Sequence, residues 1–172
     1  IFFYAYPYVG EEVKEKILSI CSVLGQFQKG CRLWVVPFGE IQNTIAKDCY
    51  EEYRTILFRK YMVETANLLA RRVKAQAIVT GDALGQVSSQ TMQNMSVMDK
   101  FSEKMILRPL VGFNKIEIIR LSQKIGTHDI SVIPHDDACS LFSPKHPVIK
   151  ADYVYMRNYS MEFDYTKLME KA

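Results

Sequence analysis

Thr80 to Thr91 reads TGDALGQVSSQT, set between the apolar run Ala77-Ile78-Val79 and a helix start rich in hydroxyl and amide side chains. A short apolar run, a glycine-bearing loop and a polar helix start form a strand-loop-helix unit, which can aim backbone N–H groups at a phosphate or nucleotide. The residues alone also admit an ordinary tight turn, because Gly81 and Gly85 suit either use.

The chain on both sides repeats the same rhythm. Ile1 to Tyr6 is an apolar, aromatic strand candidate, and Glu11 to about Phe27 carries Val13, Ile17, Ile20, Leu24 and Phe27 at helical spacing. Leu33 to Phe38 reads as a buried strand, Asp48 to Val73 as a long helix and Gln76 to Thr80 as the next strand. A helix is set up near Ser88, and Met105 to Leu107 is a strand stopped by Pro109. Asn114 followed by Glu117 is a capping box, Ile116, Ile119 and Ile125 supply an inward stripe, and Gly126 ends that helix. Alternation of this kind predicts an α/β fold with a mostly parallel twisted sheet flanked by helices. Beyond Asp152 the composition turns to tyrosine, methionine and charge, as in a packing helix or a strap.

With 172 residues, 48% of them apolar, the chain can bury one full core. A net charge of +3 is too mild to announce nucleic-acid binding by itself. Cys21, Cys31, Cys49 and Cys139 form no CxxC pair, and no basic leader opens the chain, which points to reduced thiols in a cytoplasmic setting. No apolar stretch approaches the roughly 20 residues needed to span a bilayer. His128 and His146 lack metal-ligand spacing, which argues against a catalytic zinc.

Ligands of a parallel sheet gather beyond the carboxyl ends of its strands, which directs attention to Phe2, Phe3, Gly81 and the loop after it. Arg59 shares a helix face with Thr55, Met62, Val63, Ala66 and Ala70, where a guanidinium needs an anion, a carboxylate such as Asp48 or Glu52, or a path out to water. Gln90, read in the first turn of its helix, can offer its amide to a base or a phosphate, or simply be solvated. Cys139 lies in HDDACSLFSPKHP, a polar setting unlike those of the other three cysteines. Its thiolate would be opposed by Asp136 and Asp137 and favoured by Lys145, His146 or a protonated His135, and a buried structural cysteine is the other reading. Asp82 and Asp99 read as solvated loop carboxylates without a role, and Arg71, Arg72 and Lys74 as a basic helix terminus.

Taken in order, WVVPFGEIQ from Trp34, YRTILFRKYM from Tyr53, the Thr80 loop, LRPLVGFNKIEIIRLSQKIGT from Leu107 and ISVIPHDDACSLFSPKHPVIKA from Ile130 resemble one known family. It is the tRNA 4-thiouridine synthetase (ThiI) family, whose catalytic domain is a PP-loop ATP-pyrophosphatase. The resemblance covers residues 1-151, with 152-172 as a C-terminal extension. It implies an adenine-nucleotide α-hydrolase-like fold, ATP and Mg2+ as cofactors, and nucleotide contacts at the positions of Phe2, Phe3, Arg59, Gly81 and Gln90. Cys139 matches a cysteine that takes part in sulfur delivery, although Ala138 before it excludes a vicinal pair. At Phe2 relatives often carry histidine, which leaves a backbone or stacking contact for this chain.

The implied reaction is a tRNA sulfurtransferase: ATP adenylates a uridine oxygen, and a persulfide sulfur displaces AMP to give 4-thiouridine. The implied partners are tRNA, a cysteine desulfurase or other persulfide donor, and a second copy in a homodimer. Sulfur supply for the thiazole of thiamine is a further role in some relatives. The family's Ser-Gly-Gly-x-Asp-Ser phosphate loop and its RNA-binding and rhodanese domains are not found in these residues, so the chain by itself is expected to be weakly active or inactive. Two other classes compete with this reading: a PP-loop enzyme with a different acceptor, and a non-catalytic nucleotide-binding or scaffold module.

Overall fold

The computed structural model describes residues 1–135 and 142–161. They fall into two compact units, one formed by Ile1–Gly39 with the chain from Asn114 onward, the other by Glu40–Phe113 with the chain from Phe142 onward.

In the first unit, β1 (Phe2–Tyr4) pairs in parallel with β2 (Val35–Pro37), Phe3 standing opposite Val36. Between them runs α1 (Glu11–Leu24), the crossover that a parallel pair requires. Glu11 and Glu12 favour its first turn by meeting the positive end of the helix dipole, and a 3₁₀ turn at Gly25–Phe27 follows it. Tyr4, Ala5, Val9 and Val13 make the buried cluster, with Phe2, Tyr8 and Val35 packed around it. Later in the chain come α5 (Lys115–Ile125) and the short α6 (His128–Ser131). The expected capping box is present: Asn114 accepts from the N–H of Glu117 at 3.0 Å, and the Glu117 carboxylate accepts from the N–H of Asn114 at 2.8 Å. Gly126, at φ 80°, closes the helix in the left-handed conformation that glycine adopts without a Cβ penalty. The expected inward stripe is displaced, however. Ile116 is 61% exposed, and Ile118, Ile119 and Ile125 are the half-buried positions.

The second unit is built on a long helix. Instead of one helix from Asp48, the chain forms α2 (Gly39–Asp48, its first residue in the other unit), a 3₁₀ turn at Glu51–Tyr53 and then α3 (Arg54–Arg72). The sequence reading missed α2, whose Ile41 and Ile45 are almost completely buried. Residues on several sides of α3 are buried, Ile56, Leu57, Tyr61 and Val63 among them. Strand β3 (Ala77–Val79) pairs in parallel with β4 (Met105–Leu107), Ile78 opposite Ile106, with α4 (Met92–Phe101) as their crossover. Thr91 caps α4 by accepting from the N–H of Asn94.

Asn94 is fully buried and uses its whole amide: Nδ2 donates to the Ser88 and Val148 carbonyls, while Oδ1 accepts from the N–H of Ala151. It thereby ties the segment before the last described helix, α7 (Tyr153–Met161), onto the start of α4. Met156 and Tyr159 bury one side of α7, and the Tyr159 hydroxyl accepts from the N–H of Tyr50 at 2.7 Å. The described tail is therefore a packing helix. The architecture is α/β with parallel strands flanked by helices, and in the second unit it brings the ends of β3 and β4 side by side.

Candidate functional site at the ends of β3 and β4

Both strands of the second pair release the chain at the same edge, and polar residues follow at once. Thr80, Gly81 and Asp82 continue from β3, and Arg108 continues from β4, the Thr80 N–H donating to the Leu107 carbonyl at 3.0 Å. Here the expectation for Asp82 fails: it is 3% exposed and forms the hub of a charged network. Its Oδ1 accepts from Arg59 Nη2 at 2.6 Å and from Gln90 Nε2 at 3.4 Å. Its Oδ2 accepts from Thr80 Oγ1 at 2.8 Å and from Arg108 Nε at 3.2 Å. Burial pushes the Asp82 carboxyl up, but the Arg59 charge and the hydrogen bonds from Thr80, Arg59 and Arg108 outweigh it and hold the group below its ordinary 3.8. Asp99, also read as unattached, pairs with Arg108 Nη1 at 2.7 Å.

Three of the residues singled out from the sequence thus meet in one place. Arg59 reaches Asp82 from α3 rather than pairing with Asp48 or Glu52. Gln90 lies in a 3₁₀ turn (Ser88–Gln90) ahead of the Thr91 cap, not in the first turn of α4, and its carbonyl accepts from the N–H of Gly85 at 2.8 Å, closing the loop on itself. Gly81 belongs to the same corner by its place next to Asp82. Phe2 and Phe3 are in the first unit, within the body of β1, whose carboxyl end is Tyr4; the Phe3 ring meets Phe38 edge-on at 5.1 Å. Cys139 lies outside the described residues. Arg108 was missed altogether. Its only cue in the sequence is its position, first after a buried strand that runs parallel to Ala77–Val79.

The two arginines differ in what they have left to give. Arg108 spends all three of its nitrogens, on Asp82, on Asp99 and on the Met95 carbonyl at 3.4 Å. Arg59 makes the single bond to Asp82, and its buried Nε has no partner among the described residues. A guanidinium carries five donors; among the described residues Arg108 engages three of its own and Arg59 one.

The two loop glycines differ as well. Gly85 has a φ of 74°, a conformation other residues rarely adopt. Gly81 has no positive φ, and a Cβ built on it would meet nothing within 4 Å. Neither backbone shape nor packing among the described residues requires glycine there, which leaves room for something else to come against that backbone.

A family model described as "Thiamine biosynthesis protein (ThiI)" matches residues 1–165 of this chain. The chain belongs to the ThiI family. It is 43% identical over 148 residues to a probable tRNA sulfurtransferase of Moorella thermoacetica, covering 86% of this chain and 38% of that protein. With the probable tRNA sulfurtransferase of Geobacillus kaustophilus it shares 39% identity over its full length, which is 43% of the relative. This ThiI-family chain therefore spans about two fifths of the length of these curated relatives. Among solved structures it is similar to a 4-thiouridine synthetase crystallised as an RNA complex with bound ATP, at 30% identity and a TM-score of 0.90, over 98% of this chain and 44% of that one. The fold is accordingly that of the PP-loop enzymes. Among the described residues no helix is long and apolar enough to cross a membrane.

Proposed function

We propose that this chain is the nucleotide-handling part of a tRNA uridine 4-sulfurtransferase, with the ends of β3 and β4 as part of its adenine-nucleotide site. The observation that carries this reading is the contrast at that corner: Arg108 has every guanidinium nitrogen engaged, while Arg59, among the described residues, engages one and keeps the rest for a ligand, in the same network as the residue beside an open glycine backbone. Cationic donors beside accessible backbone at a strand end suit the phosphates of a nucleotide. The family membership and the ATP of the similar solved structure support the same assignment.

ATP, when bound, supplies the adenylyl group that turns the uridine oxygen, otherwise a poor leaving group, into a departing AMP. The chain's own contribution is positional. Arg59 donates to the nucleotide anion, Gly81 keeps the approach clear and Gln90 adds an amide contact. Phe2 and Phe3 offer backbone or ring face to the base, and Cys139 supplies a thiol for taking up or releasing the sulfane sulfur. Mg2+ finds no ligand set among the described residues: Asp82 has both oxygens committed, and no three His, Cys, Asp or Glu side chains gather. No step is assigned to it.

We extend the proposal to tRNA as acceptor, to a cysteine desulfurase or similar persulfide donor, to a homodimer and to the cytoplasm. Thiazole sulfur supply is a secondary role in keeping with the family's description. The test is nucleoside mass analysis of tRNA from cells that lack the gene. Loss of 4-thiouridine is expected, with recovery on return of the gene and poor recovery with Arg59→Ala. Unchanged 4-thiouridine together with loss of another tRNA modification would instead support a PP-loop enzyme with a different acceptor.

A further inference from the structure

We infer that Asp82 is a positioning residue that fixes the hydrogen-bonding polarity of the site, leaving Arg59 as its donor and Gln90 as its acceptor toward a bound nucleotide. The inference rests on the nucleotide-site reading above and adds to it which atom of Gln90 meets the ligand, and which part of the ligand it meets.

Asp82 is ionised at neutral pH, since four donors converge on its two oxygens from α3, the end of β3, the Ser88–Gln90 turn and the end of β4. An ionised carboxylate only accepts hydrogen bonds. The amide of Gln90 must therefore turn its NH2 toward Asp82, as it does at 3.4 Å. Once the donor end is committed, Oε1 is the atom left to face outward, and among the described residues it accepts from nothing.

The backbone leaves the amide little freedom to avoid this choice. The Gln90 N–H donates to the Val87 carbonyl at 2.9 Å, and its own carbonyl accepts from Gly85, so the residue is held at both ends of a closed turn. Arg59 is oriented by the same carboxylate through Nη2, with its remaining donors unspent among the described residues. A phosphate oxygen cannot donate to Gln90 Oε1, so the phosphates belong with Arg59. Gln90 then reads a hydrogen-bond donor on the nucleoside, which on an adenine nucleotide is a ribose hydroxyl or the exocyclic amino group.

The experiment is calorimetric titration of the complete gene product with AMP, 2′-deoxy-AMP, 3′-deoxy-AMP and purine riboside monophosphate, each analogue lacking one donor. Wild type should bind AMP and lose about fivefold or more with one of the three analogues, which identifies the donor. In Gln90→Met that loss should shrink to within about twofold. Asp82→Asn should weaken AMP about tenfold and also erase the discrimination, because a carboxamide can donate as well as accept and so releases the Gln90 amide.

A purely structural Asp82 would lower stability without changing the ratio between analogues, so the ratio is the deciding readout, taken at a temperature where circular dichroism shows each variant folded. Failure of wild type to bind AMP overturns the nucleotide-site reading and this inference with it. AMP binding with equal affinity for all four ligands, or with full discrimination retained in Asp82→Asn, overturns this inference and leaves that reading standing.

Discussion

The two parallel strand pairs are built alike and end differently. Each consists of three-residue strands in register, joined by a crossover helix. At the end of β1 and β2 the chain covers itself: Tyr4 and Ala5 are buried, the Phe38 N–H donates to the Tyr4 carbonyl at 2.8 Å, and the Tyr8 N–H donates to the Ala5 carbonyl at 2.8 Å. A Cβ on Gly39 would stand 2.0 Å from the Tyr6 carbonyl oxygen, so the backbone has closed over the space. At the end of β3 and β4 the residues that follow are polar, the buried group is a carboxylate, and the glycine faces open space. Strand geometry is therefore neutral as to function. Whether a strand end closes over itself or stays open and polar is decided by the two or three residues after it, largely apolar in one case and Thr-Gly-Asp in the other.

The largest effect expected from disturbing this contrast is at Asp82. Asp82→Ala leaves Arg59 and Arg108 without their shared partner in a buried place, at a cost of about 3–5 kcal/mol in urea unfolding. The same residue predicts a pH dependence. Its folded value lies below the unfolded 3.8, so its contribution is complete above 3.8 and disappears as pH falls through the depressed folded value. The stability difference between wild type and Asp82→Asn should therefore be constant at neutral pH and narrow in acid, as followed by the unfolding midpoint across a pH series.

Next in size is Gly39→Ala, expected to cost about 1–3 kcal/mol because its methyl meets backbone that must shift. Asn114→Ala, which removes a capping box in the first unit, should cost about 1 kcal/mol in the same assay. Smallest is Gly81→Ala, expected within about 0.5 kcal/mol of wild type because its methyl enters open space. Equal losses for the two glycine variants would break the comparison.

Much of this was readable from local signals. Short apolar runs closed by turn residues located all four described strands, Met105–Leu107 to the residue, and the Asn114–Glu117 pair with Gly126 fixed both ends of α5. What escaped depended on partners far away in sequence. Asp82 looks like a loop carboxylate because the groups that bury and ionise it come from positions 59, 90 and 108 as well as from the neighbouring Thr80. Arg108 escaped for the same reason.

Helix α2 escaped for another: its Gly39 start and its Asn43-Thr44 middle are poor in helix propensity, and only Ile41 and Ile45, one turn apart, mark the buried face. The long helix was extended back to Asp48 across a 3₁₀ turn whose acidic and aromatic residues continue the apparent helical composition. Ile116 reads as core but is exposed, because spacing alone does not say which side of an amphipathic stripe the unit covers.

The central claim is that the open end of β3 and β4 receives an adenine nucleotide. Calorimetric titration of ATP into the complete gene product and into its Gly81→Ala variant tests it most directly, because the substitution is expected to leave the fold unchanged. The account predicts ATP binding by wild type and an affinity at least about tenfold weaker in the variant at an unchanged melting temperature. Equal ATP affinity in the two proteins would contradict it.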